Sequence, residues 1–155
     1  MNTSTPPRGF TLLIAVVLSS VIVSVSLALL DITYKQVTLA SAAAQSQYAF
    51  YNADTALECA LYFDQKDNAF DYYTPLSSDL ITCAELPVQD YAMSLSAGVI
   101  STTFTLPCTG GGSRGNVTVR KSSTGATAIF ANGYNTCQEN DVRRIERGIK
   151  ATYGN

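Results

Sequence analysis

The sequence predicts an α+β fold in which a long N-terminal helix, its lower half crossing a membrane, packs through its upper half against a C-terminal four-stranded antiparallel sheet. Three observations lead there. No charge interrupts the apolar run from Phe10 to Leu30; no Gly or Pro breaks the chain between Phe10 and Pro75; and beyond Ile100 short β-branched segments are separated by turn residues.

Residues 1–9 are polar, hold Pro6 and Pro7, and end in Arg8-Gly9, so they read as a leader too short to fold. Residues 10–30 form the transmembrane half of the helix: about 21 residues at 1.5 Å each span roughly 31 Å, close to the hydrocarbon thickness of a bilayer. Ser19, Ser20, Ser24 and Ser26 within it are small hydroxyls that can bond back to the preceding turn and let neighbouring helices approach. Arg8 and the amino terminus precede the run, while Asp31 and Lys35 cancel after it, which puts the N-terminus in the cytoplasm and the rest outside. A secretory signal peptide is the rival reading, with small residues for cleavage at Ala42-Ala43-Ala44. That site lies about a dozen residues past an apolar run already longer than a signal peptide's apolar region.

Residues 31–63 form the amphipathic half. Leu39, Ala43, Phe50, Ala53, Leu57 and Leu61 recur on one stripe, and Lys35, Gln36, Gln45, Gln47 and Asn52 fall largely elsewhere. Asp64-Gln65-Lys66-Asp67-Asn68 breaks the stripe and ends the helix near Phe63, a rod of about 80 Å. Residues 64–155 make the globular head. It opens with an irregular connector from Asp67 to Gln89, punctuated by Pro75 and Pro87, whose aromatic cluster Phe70, Tyr72 and Tyr73 packs over the helix. Strands follow at Ser101–Leu106, Asn116–Lys121, Ala126–Ala131 and Val142–Tyr153, a meander. On the last of them Ile145, Ile149, Ala151 and Tyr153 share one face, with Arg144, Glu146, Lys150 and Thr152 on the other, as expected for a sheet half buried against a helix. Alternation also puts Arg147 on the inner face, paired with Asp54 or Glu58 unless a bulge at Gly148 turns it out.

Four widely spaced cysteines, Cys59, Cys83, Cys108 and Cys137, fall in the part placed outside the cytoplasm, which makes two disulfides the expectation. Three connectivities are open. The pairing Cys59 with Cys83 and Cys108 with Cys137 is favoured, because the first and third strands of a meander end at the same edge and carry Cys108 and Cys137, while Cys59 and Cys83 bracket the connector.

Pro7-Arg8-Gly9-Phe10-Thr11-Leu12-Leu13, a short polar leader ending in Gly before a membrane-length helix, resembles the N-terminus of type IV pilins and type II secretion pseudopilins. Further along the same helix, Ala49-Phe50-Tyr51-Asn52-Ala53-Asp54-Thr55-Ala56-Leu57-Glu58 resembles a stretch of the PilX-like minor pilins. Together these cover about the first 58 residues of the chain. The resemblance implies cleavage between Gly9 and Phe10 by a prepilin peptidase, methylation of the new Phe10 amine, residence in the inner membrane before assembly, and then packing against other pilin subunits through the N-terminal helix in an extracellular pilus or periplasmic pseudopilus. One departure concerns the position four after Phe10, usually Glu in this superfamily and here Ile14. A subunit without that acid relies on apolar packing alone or occupies the leading end of the filament, and the resemblance favours the second.

Chemistry is sparse by comparison. The chain has 155 residues, no His and no Trp, and its formal net charge of −2 falls to −3 if the leader with Arg8 is lost, which does not favour nucleic acid. No C-x-x-C pair or His suggests a redox or zinc site, and Asp64, Asp67 and Asp71 lack the alternating ligands and Gly of an EF-hand loop, so neither metal nor cofactor is expected. Thr109 to Gly115 is glycine-rich but has no Lys-Ser/Thr after it, and reads as a flexible hairpin tip. The expectation is a non-enzymatic structural subunit, a minor one, of a type IV pilus or pseudopilus. The alternatives are an uncleaved membrane-anchored extracytoplasmic binding domain, and a DNA-binding minor pilin using Arg120, Lys121, Arg143, Arg144, Arg147 and Lys150.

Overall fold

The structure is a computed structural model and describes residues 8–109 and 111–154, so that Met1 to Pro7, most of the expected leader, lie outside the described residues. The chain divides into two compact units, Met1–Ala42 and Ala43–Asn155. One helix, α1 (Arg8–Asp67), accounts for every described residue of the first unit and opens the second.

In the second unit α1 continues four residues past the expected end at Phe63. It stops where Asn68 turns into the left-handed region (φ 48°), a conformation its short amide side chain tolerates, and the Ala69 N–H reaches back to the Phe63 carbonyl at 3.0 Å. The acidic cluster did not break the helix because Asp64 faces inward, only 3% exposed.

A small ribbon, β1 (Thr82–Cys83) with β2 (Leu86–Pro87), precedes the main sheet of β3 (Gln89–Ser96), β4 (Val99–Pro107), β5 (Ser113–Ser122), β6 (Thr127–Tyr134) and β7 (Glu146–Tyr153). The sheet has five strands in consecutive antiparallel order, not four. The strand that the sequence reading lacked is β3, whose Ala and Ser residues have low strand propensity and which is exposed along almost its whole length. The expected final strand also begins later, at Glu146 and not Val142.

The helix meets the sheet through small residues. Ala49, Ala53, Ala56 and Ala60 are fully buried, joined by Leu57 and Phe63, whereas Phe50 and Leu39, both expected on the packed stripe, are 48% and 74% exposed. The stripe is displaced because the sheet presents glycine there. A Cβ on Gly133 would lie 2.1 Å from the Ala53 nitrogen and 2.3 Å from the Ala49 carbonyl oxygen, so backbone rests on backbone. Around that contact Val117, Val119, Ile129 and Ala131 of the sheet close the core, and Phe70 stacks on Phe104 at 5.7 Å between ring centres. Of the connector aromatics only Phe70 is buried; Tyr72 is half-buried and Tyr73 exposed, which corrects the expected three-ring cluster.

The glycine-rich segment is less of a free tip than its composition implied. Ser113 to Gly115 already belong to β5, and Gly112 (φ 76°) packs where a Cβ would overlap the Cys137 carbonyl.

The Gly133 contact leads to a direct test. Gly133→Ala is expected to cost about 2–3 kcal/mol, since two backbone segments must part. Gly148→Ala should cost clearly less, because its nearest neighbour at 2.8 Å is the movable side-chain oxygen of Asn132. Denaturant unfolding of the full chain in detergent reads both, and equal losses would mean that the helix is not seated on Gly133.

Candidate functional site

Gly9 and Phe10, the expected processing position, fall in the first turns of α1, and the Phe10 side chain is 65% exposed. From there to Gln45 every residue is exposed, including the apolar run, and α1 is long and apolar enough to cross a membrane. The hydroxyls inside that run are satisfied within the helix. Ser19 and Ser20 donate to the Val16 and Val17 carbonyls at 2.9 and 2.8 Å, and Ser24 and Ser26 donate one turn back to Ser20 and Ile22 at 2.8 Å. Each thus satisfies its own polar group within the helix. Asp31 and Lys35 bond each other at 2.7 Å across one turn, where the apolar run ends.

In the head the structure joins Cys59 to Cys83 and Cys108 to Cys137, the pairing favoured from the strand order, with Cα atoms 5.8 and 6.1 Å apart. The first ties α1 to β1. The second ties the end of β4 to the segment after β6. Each closes a loop of 24 or 29 residues, worth about 3–4 kcal/mol in the chain-entropy model.

A buried charged cluster among the described residues was not anticipated. Asp64 accepts from Lys121 Nζ at 2.8 Å and from the Tyr153 hydroxyl at 2.5 Å, which links the helix end to β5 and β7. The signal was present in the alternation: Lys121 shares a face with the fully buried Val119 and Val117, and Tyr153 shares one with Ile149 and Ala151. Burial and then the neighbouring Asp64 carboxylate hold the Tyr153 phenol well above its ordinary range. Asp64, Lys121 and Tyr153 border an open cleft of about 420 Å³ together with Asp71, whose carboxylate is held below its ordinary value by the Thr74 and Tyr73 N–H groups of its own turn. Both acids of that cleft are therefore committed to contacts within the fold. Among the described residues no group of three or more His, Cys, Asp and Glu is placed to hold a metal ion.

Arg147 does lie on the inner face, opposite Gly133 in unbroken register, but its Nε donates to Ser46 at 2.7 Å and reaches neither Asp54 nor Glu58. Asp54 and Glu58 lie about two and three turns of α1 beyond Ser46, and the Gly133 contact fixes the helix against a shift that would bring either into range. Nearby, Asn52 donates to the Tyr134 carbonyl at 2.7 Å and Asn135 to the Gln45 side chain at 2.9 Å. On the outer sheet face Arg120 and Lys150 flank the Phe130 ring at 5.7 and 5.0 Å, and Arg144 covers Tyr134 at 3.7 Å. Those cations rest on the protein's own aromatic faces.

No family model matches this sequence, and no curated protein or solved structure matches it either.

Removing one partner of the buried cluster should expose its cost. Lys121→Met is expected to destabilise the head by about 3 kcal/mol, and adding Asp64→Leu should return most of that, because the penalty is an unpaired buried charge. A loss below about 1 kcal/mol for the single variant would show the pair to be solvated. The phenol gives a second readout. Folding favours protonated Tyr153, so its contribution is complete below the ordinary value of 10.0 and is lost as pH rises above it. Tyr153→Phe should flatten that alkaline decline in unfolding midpoint.

Proposed function

We propose that this chain is a non-enzymatic structural subunit of a type IV pilin-like filament, held in the inner membrane by residues 10–30 before assembly. The observation that carries this reading is a single helix meeting two environments. Its first part is apolar and exposed on every side, and from Ala49 onward it is the spine of a disulfide-braced head. An exposed apolar run of that length is stable only in lipid or against other helices. A membrane anchor uses the first; a filament subunit uses both in succession.

The reading assigns Gly9 and Phe10 to cleavage and methylation by a prepilin peptidase, and the N-terminal helix to packing against other subunits. Ile14, 40% exposed, offers no carboxylate to a neighbour's amino terminus, which fits a subunit present at few copies at the leading end. The rival, an uncleaved anchored binding domain, shares the span and the head and differs only in processing.

Intact mass of the protein from membranes of its native host should therefore show loss of residues 1–9 and one added methyl group at Phe10. An unprocessed N-terminus would favour the anchor. Ile14→Ala should leave assembly nearly unchanged, while Ile14→Asp places an unpaired carboxylate in the apolar run at a cost of about 2–3 kcal/mol and should lower the membrane-inserted fraction. Quantitative mass spectrometry of purified filaments in which this chain is the bulk of the protein would overturn the placement at the leading end.

A further inference from the structure

The cleft bordered by Asp64, Lys121, Tyr153 and Asp71 lies where α1 ends, and the exposed amides of Gln65 and Asn68 complete its rim. Its charged groups are fixed in place but not saturated. The Lys121 ammonium has three N–H donors and gives one to the described residues, to Asp64 at 2.8 Å, although its side chain is only 14% exposed. Asp64 accepts one bond on each carboxylate oxygen, and an ionised carboxylate has about four acceptor sites. Asp71 receives the Tyr73 N–H, the Thr74 N–H and the Thr74 hydroxyl on Oδ2 alone, so its turn orients the carboxylate while Oδ1 keeps its capacity.

The volume of about 420 Å³ falls within the range of roughly 300–1,000 Å³ typical of small-molecule sites, but the lining is polar where such sites are usually apolar. An occupant must therefore offer acceptors to Lys121 and donors to Asp64 and Asp71 at the same time. Two carboxylates against one ammonium disfavour an anion, and Lys121 disfavours a simple cation. An apolar molecule would leave every group of the floor without a partner.

We propose that this cleft binds one neutral pyranose sugar residue through a vicinal pair of hydroxyls. A hydroxyl both donates and accepts, so the pair takes the two remaining Lys121 N–H groups and gives its own protons to the two carboxylates. The Gln65 and Asn68 amides meet further hydroxyls at the rim, and the Tyr153 ring supplies an apolar wall for the hydrogens on the ring carbons. A diol that replaces ordered water here reproduces the hydrogen bonds that the water would make. The site lies wholly within residues 43–155, so it stands for a filament subunit and for an anchored binding domain alike.

The test uses the full chain in micelles of a zwitterionic detergent, which carries no sugar headgroup. The probes are the methyl glycosides of glucose, mannose, galactose and N-acetylglucosamine. Saturation-transfer NMR should show saturable binding of at least one of them below about 50 mM. Asp71→Asn keeps an oxygen for the Tyr73 and Thr74 N–H groups but replaces Oδ1 with a donor, and should weaken that binding at least tenfold. The double variant Lys121→Met with Asp64→Leu should do the same. Asn68→Gly preserves the left-handed turn and should weaken binding about threefold. Peptide mapping that retains Cys59 with Cys83 and Cys108 with Cys137 certifies the fold of each variant. No saturable binding of any probe, undiminished binding by Asp71→Asn, or tighter binding of methyl galacturonate glycoside than of methyl galactoside would overturn the proposal.

Discussion

The head depends on how closely the backbone of α1 approaches β6. At Gly133 there is no room for even one carbon atom between strand and helix, and the residues above and below it on the helix, Ala49, Ala53, Ala56 and Ala60, are fully buried. This seam contributes little apolar area, since alanine has little to bury. What it supplies is position. The area comes from the larger side chains around it, Phe63, Phe70, Phe104, Leu106 and Ile129 among them, each worth roughly 2–3 kcal/mol when removed from water. Those residues can make their contacts in one arrangement only, because the seam fixes the height of the sheet on the helix and the distance between them.

The Asp64 cluster works on the same problem by a different means. Its carboxylate is nearly inaccessible and Lys121 largely so, with side chains 2% and 14% exposed, so desolvation consumes much of what the pair gains. A net stabilising role is therefore a weak explanation for it. Register is a stronger one. A one-residue slip of β5 would carry Lys121 to the outer face and leave Asp64 buried and unpaired, an error costing several kcal/mol, whereas a slip among Val117, Val119 and their neighbours alone would be penalised less sharply. Tyr153, near the end of the last strand, is held by the same acid, so a single carboxylate sets the position of two strands.

How much of this was legible follows from what each feature writes into the sequence. The helix and its apolar run were readable because length and hydropathy state them directly, whereas the cysteine pairing was only favoured, from strand order, among three open connectivities that the fold then decided. The helix face was misjudged because a stripe is read by its large residues, and here the sheet meets the small ones; only the glycine on β6 explains why, and nothing in the helix sequence points to it. β3 escaped notice because an exposed edge strand carries neither strong strand formers nor a buried alternation. Asp64 was taken for a helix terminator on composition. Its spacing from Ala60 and Leu57, and the alternation that aims Lys121 inward, were the contrary signals. Arg147 was given the right face and the wrong partner, since alternation fixes direction while distance along the helix is set by the seam.

The apolar first half of α1 reverses the logic of the head. Its serines have turned their hydroxyls onto their own helix, and no charge lies between Phe10 and Leu30, Ile14 included. Association of such helices has no directional bond to draw on and rests on close packing, which small residues permit but do not make selective. A span of this kind can enter a bundle of helices without specifying its neighbour. If the chain assembles as proposed, selectivity must then come from surfaces that carry shape and hydrogen-bonding groups, and those belong to the head. The exposed side of its helix, where Tyr48, Tyr51 and Tyr62 recur at helical spacing, is such a surface. Two disulfides, a glycine seam and a buried ion pair in so small a head are then understandable as the means of holding those surfaces in one shape.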